Sequence, residues 1–313
     1  MPEPFTDVDL PLPDRRAGKV RVSYALDGGR RLFVTTDRLS AFDRILAGVP
    51  YKGQVLNQLA AFWFAATADL VPNHVLALPD PNVLIARAVT PLPVEVVVRG
   101  RITGVTSTSL WTRYAAGARV IDGHVLPDGL RKNEALPAPI ITPTTKGDAG
   151  AHDEPLSCAE VEARGLVAPD VWERAMATAL AVFARGQEIA AGAGLVLADT
   201  KYEMGLTPDG ELLLIDEVHT PDSSRFWVAE GLDDRLARGD EPESLDKEVV
   251  RRALAERGYR GDGEPPELPA EVWRATSERY VDAYERLTGQ PFEPGDYPVE
   301  PRIRAALQEV GIL

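Results

Sequence analysis

Two short apolar runs that each stop abruptly at charge constrain this chain more than anything else in it. Residues 195–198 (LVLA) lead into Asp199, Lys201 and Glu203, and residues 212–215 (LLLI) lead into Asp216 and Glu217. A brief, uninterrupted apolar run bounded by turn residues reads as a buried strand. Pro208, Asp209 and Gly210 supply a reversal between the two runs, so the pair reads as a hairpin. Side chains alternate faces along a strand, which puts Asp199, Lys201 and Glu203 on one side together. Carboxylates gathered around a lysine at the rim of a buried sheet are costly unless a cation or ligand offsets them. Hard carboxylate oxygens at such an edge suit Mg²⁺, which takes one or two carboxylates and completes its shell with phosphate oxygens. The expected ligand class is therefore a nucleotide. A solvated hairpin would account for one acidic strand end, but not for two followed by TPDSSRFW at residues 220–227. Ser223, Ser224 and Arg225 in that segment are anion-binding types, and Phe226 and Trp227 read as core anchors.

The formal net charge of −14 over 313 residues argues against a general nucleic-acid or membrane-surface binder. An anionic substrate must then be held by a local cluster of Lys and Arg. The single cysteine, Cys158, excludes an internal disulfide and a cysteine-rich zinc site. No run reaches the roughly eighteen apolar residues of a membrane span, and the first residues lack a signal peptide's apolar segment. The expected location is cytoplasmic.

Along the chain, residues 1–17 read as an extended arm, and 19–24 and 31–36 as strands joined at Asp27-Gly28-Gly29. Residues 53–70 read as a helix with an apolar stripe of Val55, Leu56, Leu59, Phe62, Trp63 and Ala66, stopped by Pro72. Strands follow at 83–88 and 94–102, and Pro91 and Pro93 form a stiff connection suited to a hinge between lobes. Residues 122–155 are Gly-, Pro- and Asp-rich, expected as loop over a site. Asp170 is the expected cap of a helix running to 191. The acidic stretches 233–247 and 257–269 read as linkers around helices at 246–257, 270–289 and 300–310. Lys19 and Arg21 alternate on one strand face, where they either grip phosphate oxygens or face solvent. Glu95, Val97, Arg99 and Arg101 share a face of the next strand. Two arginines on a mostly buried strand require an acidic partner.

Seven segments, in order, resemble the phosphoribosylaminoimidazole-succinocarboxamide synthase (SAICAR synthetase) family of purine biosynthesis. They are GKVR (18–21), TDRLSAFD (36–43), YKGQVLNQL (51–59), EVVVRGRITG (95–104), PIITPTTKGDAGAHDE (139–154), LADTKYEMG (197–205) and DEVHTPDSSRFW (216–227). The resemblance implies an α+β fold of two lobes around an ATP-grasp- or kinase-like cleft, with a C-terminal helical extension. Residues 1–94 would form the lobe that holds the ATP phosphates, 95–228 the Mg²⁺ and substrate lobe, and 229–313 the extension. The implied reaction is ATP-dependent ligation of carboxyaminoimidazole ribotide (CAIR) with L-aspartate to give SAICAR, ADP and phosphate, through an acyl phosphate.

By the same resemblance, Lys19, Arg21, Glu95 and Val97 would bind ATP, and Glu203 and Asp216 would bind Mg²⁺. Arg99, Lys201, Asp222, Ser224 and Arg225 would contact CAIR. Lys146 and Asp153 would lie in a loop closing over the reacting groups, and Asp199 would position Lys201 or reach the aminoimidazole. The implied partners are ATP, CAIR and L-aspartate, with neither nucleic acid nor membrane, on a monomer or small homo-oligomer. Two departures stand out. Val22 occupies a position where the family often has Asp. Val105 follows Gly104 where many members have Ser, so Ser107 or Ser109 is expected to replace that hydroxyl. A small-molecule kinase and a non-catalytic nucleotide sensor are the competing classes; the presence of Lys19, Glu203 and Asp216 argues against the sensor.

Overall fold

A computed structural model describes residues 1–42, 44–106, 108–146, 153–261 and 263–313 of the chain. Period-two alternation builds its first layer. In the strand Arg21–Leu26, Val22 and Tyr24 are fully buried, while Arg21 and Ser23 line a cavity on the opposite face. The chain reverses through Gly28 and Gly29, whose φ angles of 72° and 66° a side chain would resist, into the antiparallel strand Arg30–Thr35. Val83–Arg87 and Val75–Asp80 extend the sheet on one edge and Arg16–Ala17 on the other, giving five strands.

Both ends of the chain cover the core face of this sheet. Phe5, Val8 and Leu10 from the start, and Val299, Ile303 and Leu307 from the helix Val299–Glu309, pack on Val22, Tyr24, Leu32 and Val34. The expected arm is thus pinned down: Tyr24 Oη donates to the Val8 carbonyl at 2.8 Å and accepts from Leu10 N at 3.1 Å. Val22 sits inside this core, which explains an apolar residue at that position.

The second sheet, of seven strands, is organised around the long strand Leu195–Leu206. Val94–Arg101 pairs antiparallel along one side of it. The other side is divided: Ser224–Val228 pairs with its first half and Leu212–Ile215 with its second, the latter closing the expected hairpin. Under the sheet lies the helix Pro169–Gly192, whose Trp172, Ala175, Ala179, Val182 and Phe183 face the main core beside Val55, Leu59 and Trp63 of the helix Lys52–Ala66. Tyr280, Ala283 and Leu287 of the helix Ala270–Thr288 join the same core. The fold is mixed α+β with C-terminal helices, as expected. No helix among the described residues is long and apolar enough to cross a membrane.

Several local expectations change. Residues 122–155 are not all loop: Ala135–Ile141 is a strand on the outer edge of Val94–Arg101. Pro137 and Pro139 hid it, because a proline is tolerated on an edge where its missing donor faces no partner. Asp170 is not the helix cap. Ala168 holds that position and Pro169 the first turn, where a fixed φ suits the start, leaving Asp170 to act on the helix dipole. Part of the expected linker 233–247 is the helix Leu232–Arg238, and the next helix is confined to Glu248–Ala255.

One close approach fixes the helix under the sheet. A Cβ on Gly186 would lie 2.4 Å from Nε2 of His219, a fully buried ring held near Tyr202 Oη at 3.1 Å. Burial pushes the pKa of His219 down to about 3, so the ring stays neutral. Gly186→Ala is expected to lower stability by about 1–3 kcal/mol through overpacking, despite alanine's better helix propensity. Urea unfolding of parent and variant would show it; an unchanged or higher midpoint would mean that the His219 loop yields freely.

Candidate active site

Three adjacent strands bring the expected substrate residues together. Asp199 is the register partner of Arg99 on one side and of Arg225 on the other. Its Oδ2 therefore accepts from Arg99 Nη1 at 3.2 Å and from Arg225 Nη1 at 2.5 Å. Two guanidiniums converge on one buried carboxylate. Arg99 is further fixed by Thr142 Oγ1 at 2.8 Å, and Arg225 by Glu248 Oε2 at 3.5 Å. Among the described residues, Arg225 Nε is a buried donor without a hydrogen-bond partner. Burial opposes the charge of Arg225, but Asp199 and Glu248 outweigh it and hold its pKa above the ordinary range. Ser224 Oγ lies 2.7 Å from Thr200 Oγ1.

Two residues further along, the alternation presents Lys201 and then Glu203 on the same face. Lys201 Nζ donates to Glu95 at 2.7 Å and to Glu203 at 2.8 Å, and Lys146 also pairs with Glu203. Burial pulls the Lys201 ammonium down, yet Glu203 and Glu95 prevail and keep its pKa well above the ordinary value. Burial likewise raises Glu203, but Lys201 and Lys146 hold it at about 2. Both groups stay ionised at neutral pH.

Arg99, Asp199, Lys201, Ser224 and Arg225 line a polar chamber of about 390 Å³ that also includes Glu95, Val97, Asp153 and Ser109. A second cavity, of about 480 Å³, holds Arg21, Glu203, Asp216 and Glu217. The two share a wall of Lys19, Ser40, Lys201, Asp222, Ser223 and Lys247. Lys19 lies just before its strand rather than in it. Arg21 pairs with Asp216 and approaches Glu217 at 3.6 Å. A third cavity of about 320 Å³ adjoins Arg21, Glu203 and Asp216 and is walled by Phe33, Leu84, Ala88, Val89, Pro91 and Ile215.

Among the described residues no group of three or more His, Cys, Asp or Glu side chains is placed to hold a metal ion. Glu203 and Asp216 nevertheless line the same cavity. Two carboxylates with room for phosphate oxygens is a donor set that fits Mg²⁺.

Ser109 Oγ donates to Thr112 Oγ1 at 2.9 Å and caps the helix Leu110–Ala115. Ser107 lies outside the described residues, as do 147–152 of the expected closing loop.

Sequence reasoning missed Lys52, Tyr280, Asp246, Lys247 and Glu248. Lys52 is fully buried, and its Nζ meets Asp222 Oδ2 at 2.8 Å. Tyr280 Oη donates to Asp222 Oδ1 at 2.6 Å. The only signal for Lys52 was a charge inside YKGQVLNQL, amid otherwise helix-core residues. Asp246 accepts from Phe226 N at 3.1 Å and from Glu248 N at 2.7 Å. Burial, with Glu248 adding to it, raises Asp246 to about 6, and burial lowers Lys247 to about 8.

A family model described as SAICAR synthetase matches residues 14–266. A putative phosphoribosylaminoimidazole-succinocarboxamide synthase 2 of Agrobacterium fabrum is 48% identical over 299 residues, covering 95% of each chain. A phosphoribosylaminoimidazole-succinocarboxamide synthase of Legionella pneumophila (strain Lens) is 47% identical, covering 98% of this chain and 99% of the relative. Among solved structures, the SAICAR-synthase of Saccharomyces cerevisiae complexed with SAICAR superposes with a TM-score of 0.77 at 33% identity, over 92% of this chain and 99% of that one. A SAICAR synthetase in complex with ADP gives 0.68 at 25% identity, over 90% of this chain and 100% of that one.

Proposed function

Because this chain belongs to the SAICAR synthetase family, a family of ligases, we propose that it joins the carboxylate of CAIR to the amine of L-aspartate, with ATP converted to ADP and phosphate. The observation that carries this reading is the convergence of Arg99 and Arg225 on Asp199, with Arg225 Nε a buried donor facing no partner among the described residues. Arg99, Arg225 and Arg251 against Asp199 and Glu248 leave positive charge for an anionic substrate, and their planar forks match phosphate or carboxylate oxygens. The ribotide of CAIR belongs in this chamber. Support also comes from the yeast relative's complex with SAICAR and the other relative's complex with ADP.

In this reading the apolar cavity at Phe33, Val89, Pro91 and Ile215 takes the adenine, and Lys19 and Arg21 hold the phosphates. Glu203 and Asp216 would hold Mg²⁺, whose charge would offset that of the phosphates when bound. Arg21 and Lys146 occupy those carboxylates in this structure, so nucleotide binding entails an exchange of partners. The CAIR carboxylate oxygen attacks the γ-phosphorus, the bond to the ADP oxygen breaks, and an acyl phosphate forms. The aspartate amine then attacks the acyl carbon, loses a proton and expels phosphate. Lys201, permanently charged on the wall between the cavities, steadies the charge that moves between them. Glu95 and Glu203 orient Lys201, while Asp199 orients the arginines; Asp222 and Ser224 meet polar groups of CAIR. Lys146, paired with Glu203, and Asp153, on the chamber wall, would flank the reacting groups.

An assay of ADP release with CAIR and aspartate, separately and together, tests the reaction. Release that needs both supports it; release with CAIR alone at the full rate would indicate a kinase.

A pH dependence follows from the wall residues. The raised carboxyl of Asp246 takes up a proton as pH falls through about 6, loosening its hold on the backbone beside Arg225. The lowered ammonium of Lys247 loses its charge as pH rises through about 8, removing a cation common to both cavities. The kcat/KM for CAIR is therefore expected to be bell-shaped with limbs near these values. Lys247→Met should abolish the alkaline limb; a limb that survives in the variant belongs to another group.

A further inference from the structure

The carboxylate of Asp222 stands on the wall between the two cavities, yet its supports come from far away in the chain. Lys52, at the start of a helix in the N-terminal half, takes Oδ2, and Tyr280, on a C-terminal helix, takes Oδ1. Tyr280 lies beyond residue 266, where the match to the family model ends. The ammonium of Lys52 also faces the Tyr280 ring, 5.9 Å from its centroid.

The same C-terminal stretch grips the backbone around Lys52. Ser277 Oγ donates to the Pro50 carbonyl at 2.8 Å, and Tyr297 Oη accepts from Tyr51 N at 2.8 Å. Gln54 bonds the backbone at Glu293 and Gly295 at 2.8 and 2.9 Å. Tyr297 Oη in turn donates to Asp37 at 2.7 Å, and the other oxygen of Asp37 accepts from Gly53 N at 2.9 Å. These are buried or half-buried polar contacts, all converging on five residues at one helix start. A helix whose only task was to cover the core would need none of them.

We propose that Tyr280 is a positioning residue for CAIR, acting through Asp222, so that the C-terminal helix is a working part of the substrate site. The inference rests on the proposed ligase reading. Tyr280 and Lys52 together hold the Asp222 carboxylate by its two oxygens, on the wall of the chamber that also carries Arg99, Lys201 and Arg225. Burial and the neighbouring Asp222 carboxylate both raise the Tyr280 pKa well above the ordinary value, so the hydroxyl remains a donor at every working pH.

Tyr280→Phe keeps the ring and removes the hydroxyl. A hydrogen bond to a charged group that is lost in this way corresponds to about a tenfold effect or more. KM for CAIR is expected to rise about tenfold, with KM for ATP within about twofold of the parent. Thr276→Val serves as the matched control. It removes a buried hydroxyl from the same helix, one whose bond to the Val272 carbonyl stays within that helix, and should leave KM for CAIR unchanged. In an Asp222→Asn background, Tyr280→Phe should add little, because the group it acts through has already changed. Wild-type KM for CAIR in Tyr280→Phe, an equal rise for ATP, or the same rise in Thr276→Val would each overturn the proposal. A parent chain that releases no ADP with CAIR and aspartate would overturn the ligase reading and this one together; an active parent with a silent Tyr280→Phe overturns this one alone.

Discussion

Asp216→Asn is expected to lower turnover by at least about a hundredfold while leaving the fold intact. Asp216 follows the fully apolar strand Leu212–Ile215 and has a φ of 66°, so the chain turns out of the sheet at this residue. Its carboxylate faces a cavity shared with Glu203 and is balanced here by Arg21. Asparagine keeps the size and can still accept from Arg21, which protects the fold. It lacks the negative charge that holds a divalent cation, and loss of that cation's charge stabilisation amounts to several kcal/mol. Turnover should be followed at rising Mg²⁺ alongside a circular-dichroism melt. Near-parental activity at saturating Mg²⁺ would remove Asp216 from the metal site.

The second large effect concerns the paired arginines. Arg225→Ala and Arg99→Ala should each weaken CAIR about ten- to a hundredfold and ATP far less, since a lost charge-assisted bond corresponds to roughly 1.5–3 kcal/mol. Arg225→Ala should have the larger effect. Arg225 meets both Asp199 and Glu248, whereas Arg99 shares Asp199 and otherwise meets Thr142. Removing Arg225 leaves buried Asp199 with Arg99 alone and buried Glu248 with Arg251 alone, and the loss of one of two cations from each is expected to lower the melting temperature as well. Titration of each folded variant with both ligands decides it: equal losses for ATP and CAIR would place the arginines in the nucleotide half of the cleft.

What could be seen in the sequence was whatever one strand or hairpin determines by itself. The hairpin, the shared face of Lys201 and Glu203, and the glycine turn at Gly28-Gly29 all follow from periodicity and local turn chemistry. The need of Arg99 for an acid was also legible, and Asp199 is its register partner. Contacts between distant elements were not. Lys52 and Asp222 are 170 positions apart, and no pattern along the chain links them. Asp246 and Lys247 were hidden for a different reason, since the acidic, proline-containing stretch before them has the composition of a linker. There a buried carboxylate that organises backbone donors looks the same, in sequence, as one that faces water.

The double covering of the first sheet bears on the making of this protein. Its strands between residues 21 and 87 are synthesised early, but half of the apolar cover, Val299, Ile303 and Leu307, emerges roughly two hundred residues later. At about 5–20 residues per second, the ribosome leaves that face without its final cover for about ten to forty seconds. The nascent chain thus carries a sheet in search of an apolar partner while the rest of the enzyme is still being translated, the interval in which a chaperone or a neighbouring nascent chain has its best opportunity to bind.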